Sequence, residues 1–346
     1  MHRATCLCYQ RLKDLDPHRT PIHNITQIIA GESRSPNVYH NVHSTLVATT
    51  PTRSQLVSTC KDPFLSEFKK SQIYLCNKVR GRLGNQMFAY ASAYGVAKRH
   101  NRTVVIETSR PLNRIFSLKA ELIDDFCVCD DVKNVQPRWG CRFDASFFKK
   151  SFPQRVNVRL NGYLQSWMYF RHMEDDIRRQ FTFTDSYRKA AREIIEKTIT
   201  AGGRKATTVI AVHIRRGDIT AEPRYVRYGY KVPNDKYFFK AFAFFREKVS
   251  DPVFLLFSDN FEWTKRHLTG NDVIYMEGHN ATTDMALMIE CNHTIMSVGS
   301  FGWWAAYLAG GTTIYYRHPA WDGSELRKEF SKNYSDYFMP EWIGME

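Results

Sequence analysis

From residue 209 onward the sequence alternates short apolar runs with stretches of helical periodicity. The runs are "VIAVHI" (209–214), "VFLLFS" (253–258), "VIYM" (273–276), "TIMSV" (294–298) and "TIYY" (313–316), with helical stretches at about 235–249, 261–269, 283–291 and 302–309. Strands alternating with helices in this way predict a parallel sheet. A first βαβ unit precedes them: "IYLCNKV" (73–79), a helix within 81–100 that places Phe88, Ala91 and Gly95 on one face, and "TVVIE" (103–107). Residues 110–200 carry little pattern beyond a helix at 185–199, and Gly202-Gly203 interrupts the chain before the second run of strands. The expected architecture is α/β with two Rossmann-like domains, 73–203 and 204–346. Residues 1–72, rich in Ser, Thr, Pro, Asn and His, read as a flexible stem or disordered lead-in.

At 346 residues the chain has room for two domains with cores of their own. Its 49 Lys and Arg against 35 Asp and Glu leave +14, which favours an anionic partner: nucleic acid, a membrane surface or a phosphorylated small molecule. The basic residues are spread along the chain and no nucleic-acid-binding signature is present, which disfavours nucleic acid. No run of 18 apolar residues occurs, and residues 1–30 lack a signal peptide's apolar stretch. The eight cysteines include the pairs Cys6/Cys8 and Cys127/Cys129, without the paired C-x-x-C spacing of a zinc site. Cys127 or Cys129 with Cys141 would close a short disulfide loop; buried free thiols are the alternative. Sequons begin at Asn24, Asn101, Asn280, Asn292 and Asn333 and lean towards a secretory lumen, although Asn292 leads into an apolar run. That leaning conflicts with the missing apolar leader, so either the protein is not lumenal or the sequence lacks its true start.

The chemistry-bearing residues cluster at predicted strand ends. "AVHIRRGDI" (211–219) places two arginines, a glycine and an aspartate directly after an apolar run, where open α/β sheets bind ligands at their carboxyl edge. Arginine's planar fork suits phosphate oxygens. His213 and Arg215 alternate onto one face and Arg216 onto the other, so one arginine can clamp a diphosphate while the other is tied to the scaffold by Asp218. A purely structural Arg–Asp pair is the bland alternative. In "VRGRLGNQMF", Gly81 and Gly84 bracket a turn, Asn85 is a candidate helix cap, and the helix N-terminus favours an anion. Asp284 falls in a helix's first turn, compensating its dipole or accepting from a purine edge. In "SVGSFGWWAAYLAGG" (297–311), Ser300 and the amides behind it form a second anion site, while Trp303, Trp304 and Tyr307 pack against the sheet. Three such strand ends suit a nucleoside diphosphate held between two lobes. The blocks contain no D-x-D and no His/Asp/Glu cluster with ligand spacing, so the arginines rather than a metal are expected to neutralise it.

"GRLGNQMFAYA", "VHIRRGD", "FLLFSDNFEW" and "SVGSFGWWAAYLAGG" together resemble the ordered motif set of the galactoside α-1,2-fucosyltransferases, the glycosyltransferase family 11 type, over roughly residues 75–318. The resemblance implies a GT-B-like fold, GDP-fucose as donor, a terminal β-galactoside on a glycan as acceptor, inversion, and neither cofactor nor metal. It implies a Golgi lumenal protein, membrane-anchored through an N-terminal segment not visible in this sequence, with 1–72 as its stem. Residue by residue, it makes Arg215 the ligand of the donor's β-phosphate, with Arg216 and Asp218 shaping the loop. His213 and Asp284 would meet the guanine, and Ser300 with the Phe301 amide would hold the diphosphate. Asn85, with the Gly84 turn, would face the donor from the opposite lobe. Glu222 and Asp218 are the candidate bases for the acceptor hydroxyl. Protein O-fucosyltransferases and other sugar-nucleotide enzymes share this donor logic, and a non-catalytic glycan- or nucleic-acid-binding protein is a further alternative.

Overall fold

Strand β1 (Tyr74–Asn77) is buried at all four residues, as the middle of a parallel sheet covered on both faces requires. The structure, a computed structural model, describes residues 73–107, 111–123, 129, 132–153, 156–204 and 208–346; the lead-in 1–72 and Cys127 lie outside the described residues. Helix α1 (Leu83–Arg99) follows β1 and leads to β2 (Thr103–Glu107). Three strands of three residues each complete the first sheet: β3 (Glu121–Ile123), β4 (Lys133–Val135) and β5 (Val158–Leu160). The order is β3-β2-β1-β5-β4, with every pairing parallel.

Helix α2 (Asp185–Ala201) precedes the second sheet and buries Ala191, Ile195 and Ile199, one stripe at four-residue spacing. The sheet is built from β6 (Thr208–Ile214), β7 (Pro252–Ser258), β8 (Val273–Tyr275), β9 (His293–Met296), β10 (Thr313–Tyr316) and β11 (Ile343–Met345). Its order is β11-β10-β9-β6-β7-β8, again all parallel. Between strands lie α3 (Gly217–Ala221), α4 (Pro223–Tyr228), α5 (Asp235–Lys248), α6 (Phe261–His267), α7 (Ala281–Ile289) and α8 (Ser300–Ala309). The two sheets present their carboxyl edges to a shared cleft, the GT-B-like arrangement. Among the described residues no helix is long and apolar enough to cross a membrane.

Beneath the cleft the lobes share one core. Helix α1 is buried at every position from Gln86 to Ala97, because α8 of the second lobe covers the face that the first sheet leaves open. Phe88 lies 4.6 Å from Trp303 and 5.1 Å from Trp304, and Phe170 stacks on Trp304 at 5.6 Å, between ring centroids. The packing also crosses the Gly202-Gly203 boundary in both directions. Helix α2 reaches the second lobe through Arg188 and Arg192, each 2.9 Å from Glu290. Segment 324–342 returns to the first lobe, where Glu329 accepts from the Gly140 amide at 2.6 Å and Asp336 from the Phe143 amide at 2.7 Å.

Of the two short-loop disulfides expected, Cys129–Cys141 does not form, and Cys127–Cys141 involves a residue outside those described. Cys129 pairs with Cys76 of β1, and Cys141 is buried with its Sγ 3.7 Å from Gln165 Oε1. Cys76 and Cys129 belong to a small apolar cluster with Tyr74, Val105 and Ile123, whereas Cys141 packs in the main core with α1, so the sheet separates them. The bridge spans 53 residues. Its removal in a Cys76→Ala, Cys129→Ala double variant is expected to cost about 2–4 kcal/mol, chiefly by releasing the unfolded chain. Chemical unfolding measures this, and a midpoint equal to the wild type's would contradict it.

Candidate active site

Chain direction places the cleft. From β6 the chain builds β7 and β8 on one side, then crosses to β9, β10 and β11 on the other. The same reversal occurs around β1, with β2 and β3 on one side and β5 and β4 on the other. Loops leaving such switch points diverge and open a crevice at the carboxyl ends of the strands. Here both crevices open onto one cavity of about 580 Å³. Its walls include Gly81–Asn85 after β1, Tyr163 and Gln165 after β5, residues 213–215 and 218 at the end of β6, Asp259 after β7 and residues 298–301 after β9.

Arg215 stands at the second switch point. Its amide donates to Ser297 Oγ at 2.8 Å, joining the ends of β6 and β9. Its guanidinium is gripped between Asp218 Oδ1 and Asp259 Oδ2. Asp218 is thus not the tether of Arg216: it sits three residues beyond Arg215, and its Oδ2 takes Arg82 of the first lobe at 2.6 Å. Arg216 is held elsewhere. Its guanidinium donates to the Pro233 carbonyl at 2.7 Å and lies 3.9 Å above the Trp263 ring, outside the cleft lining. Asp259 Oδ1 accepts from the Arg216 and Gly217 amides at 2.8 and 3.0 Å, fixing the loop. Sequence reasoning assigned Asp259 no role, although "FLLFSD" carries the signal. Ile214 and Ser258 are register partners, so the next residue of each strand, Arg215 and Asp259, emerges side by side.

His213 is buried behind Arg215. Burial, with the neighbouring Arg215 charge, holds its imidazole down at about 3, so it is neutral. Its Nδ1 has no hydrogen-bond partner among the described residues. A Cβ on Gly302 would stand 2.4 Å from that nitrogen, so α8 can start over the imidazole only with glycine there. Asp284 lies in the first turn of α7, but Asn280 is the cap, accepting from the Thr282 and Thr283 amides at 3.0 Å each. Burial raises the Asp284 carboxyl to about 6. Its Oδ1 lacks a hydrogen-bond partner among the described residues, and His279 Nδ1 is 3.7 Å away.

The Gly84 and Ser300 strand ends, expected as facing anion sites, meet one another. Ser300 Oγ donates to Asn85 Oδ1 at 2.6 Å, and Gln165 Nε2 donates to the same oxygen at 2.9 Å. A Cβ on Gly84 would lie 2.6 Å from the Phe301 amide nitrogen and from the Ser300 carbonyl carbon. Asn85 is not a helix cap, because α1 already starts at Leu83, after Arg82. Trp303 and Trp304 are fully buried and pack as expected. Of the two candidate bases, Asp218 has each oxygen engaged by a guanidinium, whereas Glu222 is paired through Oε2 with Arg224.

Comparison with known proteins matches this arrangement to one family. The sequence model described as glycosyl transferase family 11 matches residues 47–346. Galactoside alpha-(1,2)-fucosyltransferase 2 of Rattus norvegicus is 33% identical over 275 residues, 77% of this chain and 75% of that protein. Galactoside alpha-(1,2)-fucosyltransferase 1 of the same species is 32% identical over 276 residues, 77% and 71% of the two chains. Among solved structures, the fucosyltransferase NodZ from Bradyrhizobium is similar at 17% identity and a TM-score of 0.43, covering 68% of this chain and 93% of that one. A family match over residues 47–346 of a 346-residue chain, with relatives above 30% identity, makes this chain a fucosyltransferase belonging to glycosyl transferase family 11.

Proposed function

We propose that the enzyme transfers L-fucose from GDP-fucose to the 2-hydroxyl of a terminal β-galactoside on a glycan, with inversion and without metal. The observation that carries the reading is Arg215, a guanidinium at the switch point of the second sheet, oriented in advance by two carboxylates. The relatives' names supply the acceptor. In this reading Arg215 takes the β-phosphate, beside Ser300 and the Phe301 amide, and Asp284 and neutral His213 meet the guanine. Gly84 and Asn85 close that end from the other lobe. As the bond from the fucose C1 to the phosphate oxygen breaks, its electron pair goes to the phosphate and C1 gains oxocarbenium character. A fixed guanidinium opposite that growing charge favours the transition state over the ground state. The acceptor's 2-oxygen bonds to C1 from the opposite side, and its proton goes to Glu222, which unlike Asp218 has one oxygen outside any ion pair among the described residues. The buried Cys76–Cys129 disulfide supports an oxidising compartment, and we place the enzyme in the Golgi lumen, membrane-anchored, which cell fractionation checks.

The direct test offers GDP-fucose with galactosides and with serine- or threonine-bearing peptides, in excess EDTA. The expected product is a 2-O-fucosylated galactoside whose anomeric proton resonance reports inversion. Activity lost in EDTA and restored by manganese would overturn the metal-free step, and transfer to peptide alone would overturn the acceptor.

Two substitutions separate donor binding from proton transfer. Arg215→Lys keeps a cation between Asp218 and Asp259 but loses the two-pronged fit to phosphate. It is expected to fold, with kcat lowered about a hundred- to thousandfold, or roughly 3–4 kcal/mol. Glu222→Gln is expected to lower kcat by roughly 10²–10⁴-fold with GDP affinity unchanged. A kcat within tenfold of wild type in either variant removes that residue from the mechanism.

The guanine contact has a pH signature. Guanine N1–H and N2–H need an ionised acceptor, and the free Asp284 carboxyl sits at about 6. GDP affinity should therefore be full above pH 6 and fall as pH drops through it. Asp284→Asn is expected to remove that component and to narrow the preference for GDP over ADP in calorimetric titration. An unchanged pH profile and preference would place the guanine elsewhere.

A further inference from the structure

From Arg215 a row of aromatic rings leads out of the cleft. The phenols of Tyr225 and Tyr230 lie near enough to act on the Arg215 guanidinium. Tyr225 and Tyr230 meet edge to face at 5.8 Å, and Tyr230 meets Tyr228 at 6.1 Å; all three line the cavity. Their segment is clamped to a second strip of chain. Tyr230 bridges Ala320 in antiparallel fashion, the Lys231 amide donates to the Pro319 carbonyl at 3.0 Å, and the Trp321 amide donates to the Gly229 carbonyl at 2.9 Å. That clamp holds Trp321 against the Gly229–Lys231 backbone, two residues past Pro319, which itself lines the cavity. Trp321 is 55% exposed, the most exposed of the large apolar side chains among the described residues. The Lys231 ammonium lies 4.7 Å from its ring centroid, which steadies the ring.

We propose that this row is a run of acceptor subsites in which Tyr225, Tyr228 and Tyr230 hold the accepting sugar and Trp321 stacks on the sugar beneath it. The inference rests on the proposed function and adds that the enzyme reads a glycan longer than one residue. Pyranose rings carry an apolar C–H face and a hydroxyl rim. Tyrosine and tryptophan match both, with flat apolar faces and polar tips, and lose little side-chain freedom on binding. The row is continuous with the reacting end, which a peptide- or protein-docking patch would not need to be. The cations that touch the row are applied to its rings: Lys231 lies over Trp321, and the Arg224 guanidinium lies 4.9 Å from the Tyr225 centroid.

Steady-state kinetics with methyl β-D-galactoside and with a tetrasaccharide ending in β-galactose test it. Wild type is expected to show a KM about tenfold lower for the tetrasaccharide, the scale of one well-stacked ring. Trp321→Ala should raise that KM to the monosaccharide's value and leave the methyl galactoside's kcat and KM and the KM for GDP-fucose unchanged. Trp321→Phe should restore most of the difference. Equal tetrasaccharide KM in wild type and Trp321→Ala, or the same rise for both acceptors, overturns the subsite. If wild type fucosylates neither acceptor, the proposed function falls instead. Calorimetric binding of the tetrasaccharide to the GDP complex then decides: weaker binding in Trp321→Ala supports the inference, and equal affinity overturns it.

Discussion

Gly84 touches the Ser300–Phe301 backbone, and the geometry of the cleft depends on that contact. Neither lobe can supply the site alone: the first brings a turn without a side chain, the second a helix start. Any Cβ at Gly84 would meet backbone rather than a flexible side-chain end, so the lobes would have to part. The hydrogen bond from Ser300 to Asn85 adds about 1 kcal/mol by ordinary reckoning, a minor contribution beside the shared aromatic core beneath. Two sheets thus meet along a packed seam, with the cleft as the opening at one end. Groups on either side, Arg82 and Asp218 above all, are held in register across it.

Charge acts in this site by direction rather than by excess. The +14 balance suggests a positive basin for an anion, yet three arginines and four acids line the cavity, and its histidine is neutral. Two of those acids grip Arg215 and so aim its fork. Overall composition could not reveal this, because the same acids count against anion binding in a sum and in favour of it in geometry.

What was legible in the sequence follows how locally each feature is determined. The seven-residue strands β6 and β7 announce themselves, since each is a continuous apolar run. Strands β3, β4 and β5, with three residues each, show no period because they are too short to contain one; pairing makes them strands. The positions of His213, Arg215 and Ser300 were legible because each lies at the end of a readable strand. Asp259 needed the register between two strands, Arg82 a contact across 136 residues, and Cys129's partner the knowledge of which sheet face each cysteine occupies. Such facts belong to the folded lattice. Asn85 was misread as a cap because a polar residue after glycine is a common helix start, whereas here its carbonyl is needed by Ser300.

The two crossing segments bear on how the chain is made. On a ribosome the first sheet and α1 emerge well before α8, segment 324–342 and the last strand. Until then Phe88, Phe170 and Phe181 face water where Trp303 and Trp304 will lie. At roughly 5–20 residues per second, the second half takes about 7–30 seconds to follow. For that interval the nascent chain presents an aromatic surface it cannot cover itself. The first lobe is thus a unit of architecture more than of folding, because the aromatic packing that later holds the lobes together is also what completes its core.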